Sequence, residues 1–70
     1  CSSDLIGKND RGAEVLAIQK RLLALGLLPE SEVDGVFGAN TAGAVAAFQK
    51  QNGLDADGLV GPNTRAKLGL

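Results

Sequence analysis

The chain has 70 residues, 44% of them hydrophobic and 21% charged, and seven basic against eight acidic side chains leave a formal net charge of -1. That length allows one small domain, and the composition suits a folded unit rather than a disordered tail. It speaks against a nucleic-acid binder, which needs a basic face, and no apolar run is long enough to cross a bilayer.

The sequence has one cysteine, Cys1, and no histidine. An internal disulfide is therefore excluded, and packing has to hold the fold. The missing histidine removes the usual general base of a hydrolytic triad and the commonest zinc ligand, so neither a catalytic centre nor a cofactor is expected. Cys1, followed by Ser2 and Ser3, is either the lipid-anchored first residue of a mature lipoprotein or simply the start of a piece of a longer chain. Residues 1–7 read as a tail and residues 8–70 as the domain.

The spacing predicts a first helix from Arg11 to Leu25. Val15, Ile18, Leu22 and Leu25 form its buried stripe, with Leu16 and Leu23 beside it. Asn9 or Asp10 is expected to cap the start, and Gly26 stands where a left-handed stop is wanted. Leu27 to Val33 contains Pro29, Glu30 and Glu32 and reads as a surface loop.

A second helix is expected from Ala39 to Asn52. Val45 and Phe48 face inward, Ala42 and Gln49 lie at the margin, and Ala47 and Lys50 point outward. Small residues at Ala42 and Ala46 would let a neighbouring helix approach, and Gly53 supplies the stop. A short third helix, Pro62 to Leu68, should pack Leu68 against the other two. The fold class is therefore all-α, a small three-helix bundle built around a duplicated turn-helix unit.

The duplication is written in the sequence: DGVFGANT, from Asp34 to Thr41, returns 23 residues later as DGLVGPNT, from Asp57 to Thr64. Asp-Gly favours a tight turn, because glycine takes positive φ freely and aspartate bonds nearby backbone amides. Pro62 suits the first helical position, which makes Gly61 the cap residue and, by the repeat, Gly38 its equivalent. The same turn chemistry accounts for Asp34 and Asp57 better than an acid–base pair does. Asp55-Ala56-Asp57-Gly58 lacks the closing glutamate of a calcium loop.

DGVFGANTAGAVAAFQKQNGL followed by DGLVGPNTRAKL, preceded by GKNDRGAEVLAIQKRLLALGLL, resembles the type 1 peptidoglycan-binding domain, a three-helix module attached to bacterial and phage cell-wall hydrolases. Gln19 and Gln49 match that family's two helical glutamines. The resemblance implies a non-catalytic module that holds peptidoglycan, both glycan and stem peptide, in the bacterial envelope and targets or tethers a hydrolase there. A monomer is expected, either periplasmic or extracellular. Within that reading the two helix starts would face one shallow groove, with Asp34, Phe37, Asn40, Thr41, Asn63, Thr64 and Arg65 as candidate ligand contacts. Arg65 would pair with a stem-peptide carboxylate. Phe48 is assigned to the core. Phe37 either joins it or lines the groove. Val60 stands at the position of Phe37 in the second copy, and Leu27 and Leu28 stand where relatives often carry an aromatic residue, which leaves little ring surface for sugar stacking.

The fold is also similar to the helical propeptide domain of matrix metalloproteinases. Those propeptides continue into a cysteine-bearing segment that blocks zinc, whereas here the cysteine is at the opposite end. The alternative reading is thus a helical protein-interaction or propeptide-like regulatory domain of an attached enzyme.

Overall fold

In α1, Ala13–Ala24, the buried side chains are Val15, Ile18, Gln19 and Leu22. This is the i, i+3, i+4, i+7 stripe of a helix packed on one side. These positions come from a computed structural model that describes Ile6, Gly7 and residues 9–70. Cys1, with the lipid anchor considered for it, lies outside the described residues.

Neither Asn9 nor Asp10 caps α1. The cap residue is Gly12, without a side-chain hydrogen bond. The chain ahead of it is committed elsewhere: Asn9 N donates to Phe37 O (3.1 Å), Phe37 N to Asp10 O (2.8 Å), and Gly12 N to Gly35 O (3.0 Å). The Asp10 carboxylate accepts from the backbone of Gly7 at 2.8 Å. Pairing with the first Asp-Gly phrase thus delays the helix by two residues relative to the periodic pattern. Leu25, expected in the buried stripe, is instead 45% exposed, because it is the C-cap residue where the chain leaves the helix.

The end of α1 follows the sequence closely. Gly26 has φ 79°. Its amide bonds Leu23 O (2.9 Å) while Leu27 N bonds Leu22 O (2.9 Å), the paired bonds of a Schellman stop. Leu27 to Val33 forms the connecting loop, which includes a single 3-10 turn at Glu30–Glu32. Leu28 anchors it by burying its side chain in the core.

Helix α2, Ala39–Gln51, starts at Gly38 and buries Thr41, Ala44, Val45, Phe48 and Gln49. Ala47 and Lys50 face solvent as expected. The second turn comes close to Ala42. Gly58 has φ 76°, and a Cβ added there would sit 3.4 Å from Ala42 O. Helix α3, Pro62–Leu68, has Gly61 as its cap residue, Pro62 in its first turn and Gly69 in the left-handed conformation at its end.

Residues ahead of α1 join the two copies of the repeat. Ile6 pairs with Val60 in an antiparallel bridge, and Arg11 pairs with Val36 in another. The first bridge is reciprocal, with Ile6 N to Val60 O at 3.0 Å and Val60 N to Ile6 O at 2.8 Å. Ile6 is only 5% exposed, so Ile6 and Gly7, read from the sequence as tail, are part of the folded unit. Phe37 and Val60, at equivalent places in the two copies, are both fully buried in the same core as Phe48 and Leu68.

Candidate functional site

Each copy of the phrase is held by one buried glutamine from the preceding helix. Gln19 Nε2 donates to Val36 O (2.9 Å), Thr41 Oγ1 (3.1 Å) and Asp34 Oδ1 (3.3 Å). Its Oε1 accepts from Gly35 N at 2.7 Å. Gln49 repeats the set: Nε2 donates to Leu59 O (2.7 Å), Thr64 Oγ1 (3.1 Å) and Asp57 Oδ1 (3.0 Å), and Oε1 accepts from Gly58 N (3.0 Å). A buried amide is costly unless its donors and acceptor are satisfied, and here one side chain replaces the partners that turn and helix start would otherwise lack. The marginal position expected for Gln49 is therefore corrected: Gln19 and Gln49 are 0% and 2% exposed.

The aspartates complete the turns. Asp34 Oδ1 accepts from Val36 N at 3.0 Å and Asp57 Oδ1 from Leu59 N at 2.9 Å. Those backbone bonds, helped by the Gln19 and Gln49 amides, hold both carboxyls below the usual aspartate range. Hydrogen bonds to the charged form favour it, so both groups are carboxylates at neutral pH. Among the described residues, no three His, Cys, Asp or Glu side chains gather as a metal site.

Beside the second copy lies a shallow recess of ≈ 210 Å³, lined by Gln49, Leu54, Asp55, Asp57, Leu59, Gly61, Pro62, Asn63 and Thr64. Its floor is the Gln49 network, and its rim comes from the 54–59 segment on one side and the start of α3 on the other. A rigid floor of satisfied polar groups leaves the exposed rim side chains, Asp55 and Asn63 among them, free to meet a ligand.

The candidate residues divide on this geometry. Asn63 and Thr64 line the recess; Asp34, Phe37, Asn40 and Thr41 do not. Phe37 is 1% exposed and belongs to the core, so its ring offers no face to a sugar. Thr41 and Thr64 are buried, each with its hydroxyl accepting from a glutamine. Asn40 and Asn63 are exposed in the first turns of their helices. Arg65 is engaged with Glu14 of α1 at 3.2 Å, bracing α3 against α1. The recess belongs to the second copy, where Gly53 and Asp57 are close in sequence; the longer connection from Gly26 to Asp34 builds different surroundings for the first.

Sequence reasoning passed over Leu54, Asp55, Leu59 and Pro62 as site residues. The sequence carried no usable signal for them: the repeat pairs Leu59 with Val36, and only the structure shows these two apolar side chains exposed, at 37% and 45%, and puts Leu59 alone at the recess.

Comparison with known proteins assigns this arrangement. The family described as "Putative peptidoglycan binding domain" matches residues 11–68. The spore cortex-lytic enzyme of Halalkalibacterium halodurans is 40% identical over 67 residues, covering 96% of this chain and 20% of that enzyme. The crystal structure of the SleB N-terminal domain superposes with a TM-score of 0.88 at 39% identity, over 96% of this chain and 90% of that one. A peptidoglycan-binding protein from Clostridioides difficile, solved in complex with glutamine hydroxamate, gives a TM-score of 0.87 at 46% identity over 93% of this chain and 40% of that one. The chain spans about a fifth of the length of the first curated relatives it matches.

A small helical binding module, rather than a catalytic domain, is what fold and family together define. The chain belongs to the peptidoglycan-binding domain family. It is the kind of module found within cell-wall hydrolases such as the spore cortex-lytic enzymes and amidases.

Proposed function

We propose that the recess beside the second copy is where this module grips murein, and that its role in a longer protein is to keep an attached cell-wall hydrolase on its substrate. A tethered catalytic domain then works at a raised effective concentration without any new contact of its own. Asn63 and Leu59 are the contacts assigned to the ligand, with Asp55 at the rim. Asp34, Asp57, Thr41, Thr64 and the two glutamines serve the scaffold. Asn40, at the equivalent place in the first copy, is a secondary contact along the polymer. The module acts as a monomer in the bacterial envelope, wherever murein is accessible, and stem peptide as well as glycan contributes to its affinity.

The observation that supports this reading is the recess itself. It is a concave surface on a family-typical fold, with an exposed amide and an exposed apolar side chain held over a floor that packing and hydrogen bonds immobilise. The test is sedimentation with purified, protein-free sacculi. The wild-type chain should pellet with them. Asn63→Ala, which removes an exposed amide and leaves the buried network intact, should lower retention several-fold with an unchanged melting temperature. Retention of Asn63→Ala and Leu59→Ser at the wild-type level would remove the recess as the site.

A further inference from the structure

We propose that Asn52–Gly53 is a self-modification site, at which the chain converts its own asparagine into isoaspartate and aspartate, and that Gln19 and Gln49 shield the two Asp-Gly pairs from the same chemistry. Asn-Gly occurs once in the sequence and Asp-Gly twice, at Asp34–Gly35 and Asp57–Gly58. All three share a hazard. A following glycine has no side chain to keep its amide nitrogen from reaching the Cγ of the residue before it.

At Asn52 the Gly53 nitrogen gives up its proton and bonds to Cγ, the Cγ–Nδ2 bond breaks, and Nδ2 leaves as ammonia with that proton. Water then opens the resulting succinimide. Addition at Cγ returns an ordinary aspartate; addition at the main-chain carbonyl leaves the chain running through Cγ, which is isoaspartate with one more methylene in the backbone. Solvent water is the co-reactant, and nothing is oxidised or reduced.

The structure sorts the three sites. Gly35 N donates to Gln19 Oε1 at 2.7 Å and Gly58 N to Gln49 Oε1 at 3.0 Å, and acceptor lone pairs that close oppose loss of the amide proton. The electrophile is held as well. Asp34 Oδ1 accepts from Val36 N and Gln19, and Asp57 Oδ1 from Leu59 N and Gln49. These bonds keep both carboxyls ionised at neutral pH, and a carboxylate is a poor electrophile because it offers no neutral leaving group.

Asn52–Gly53 is held more loosely. Both residues are exposed, at the end of α2, where Asn52 is the C-cap residue. Gly53 N donates to Lys50 O at 3.3 Å, the longest of the backbone bonds outside the helices among the described residues. Asn52 Nδ2 donates to Phe48 O at 2.8 Å. Ring closure therefore requires the last turn of α2 to open. Helix ends open at little cost, whereas freeing Gly35 or Gly58 means breaking a buried network that ties two helices together.

Conversion has a local consequence. It places a carboxylate at the C-terminal end of α2, where the helix dipole disfavours negative charge, and it takes the Nδ2 donor away from Phe48 O. In isoaspartate the added methylene also precedes Leu54 N, whose 2.8 Å bond to Gln49 O closes the helix. The converted chain should melt several degrees lower.

The test incubates the full chain at mildly alkaline pH, with and without denaturing urea, and follows it by peptide mass spectrometry. In the folded chain the peptide holding Asn52 should gain the mass of an amide-to-acid change, fragment ions should show isoaspartate, and Asn52→Gln should abolish the gain. Asp34 and Asp57 should stay aspartate. Their isomerisation leaves the mass unchanged and is read from the same fragment ions. Urea should accelerate conversion at Asp34 and Asp57 by a factor about tenfold larger than at Asn52, the measure of the costlier opening at the two turns. A folded chain that keeps Asn52 intact while the urea-treated chain converts it overturns the modification site. Equal acceleration at all three positions overturns the shielding by the glutamines.

Discussion

Gln49 Nε2 lies 3.1 Å from Thr64 Oγ1, so that a side chain near the end of α2 meets the first turn of α3 across the whole second turn. Gln19 and Thr41 stand in the same relation, at the same 3.1 Å, between α1 and α2. The molecule is two overlapping helix-turn-helix units, with α2 serving as the second helix of one and the first helix of the other. This shared helix explains why the repeat supports a compact fold with two copies rather than a solenoid.

Removing one glutamine should disturb the whole unit it holds. Gln49→Ala leaves Gly58 N, Leu59 O, Thr64 Oγ1 and Asp57 Oδ1 short of a partner at a buried site. With a net contribution of about 1 kcal/mol per bond and a further penalty for orphaned groups, the loss should reach about 3 kcal/mol or more. Urea denaturation followed by circular dichroism measures it, and Gln19→Ala should behave alike. Gln49→Glu should destabilise most at neutral pH, where it sets a carboxylate against Asp57.

Acid should loosen both turns. The folded-state pKa values of Asp34 and Asp57 are lowered by the Val36 and Leu59 amides and by the two glutamines. A depressed carboxyl stabilises the fold at every pH above its unfolded value of about 3.9, and the gain is lost as pH falls from there through the folded pKa. The melting temperature should therefore be flat in these two groups from pH 7 to about 5 and fall below about 4. The double variant Asp34→Asn, Asp57→Asn keeps an acceptor oxygen in each turn and removes the titration. Its acid slope should be shallower than that of the wild type in thermal melts across the range.

The folded unit should depend on Ile6. Its side chain is buried in the core and its backbone is paired with Val60. Ile6→Ala should lose about 2 to 5 kcal/mol, the usual range for such a truncation in a packed interior. A domain of this size has little more than that in reserve, so a chain starting at Lys8 should be largely unfolded at 37 °C. Proton NMR dispersion of the two chains reads the difference directly.

Arg65→Ala should be mild. The ion pair with Glu14 is at the surface, with the two side chains 35% and 65% accessible. Such pairs contribute about 0 to 1 kcal/mol. A double-mutant cycle with Glu14→Ala should return a coupling energy in that range. Sacculus retention of Arg65→Ala should stay near wild type, in contrast to Asn63→Ala.

The sequence by itself determined the elements of this protein. Gly26, Gly53 and Gly69 close three helices because only glycine takes the left-handed conformation without strain, and Pro62 opens the last because its missing amide hydrogen is not needed there. These are short-range matters, settled by a residue and its immediate neighbours. The repeated phrase likewise announced two equivalent turns. Tertiary structure decided what lies between them: Gln49 inside rather than at a margin, Gln19 buried in the matching place, Phe37 in the core, Ile6 bridged to Val60, and the recess beside the second copy. Those outcomes join residues up to 54 apart in the chain. Their reason is the requirement that every buried polar group find a partner and every apolar side chain find cover, which no local pattern can state because the partner is chosen only when the helices meet.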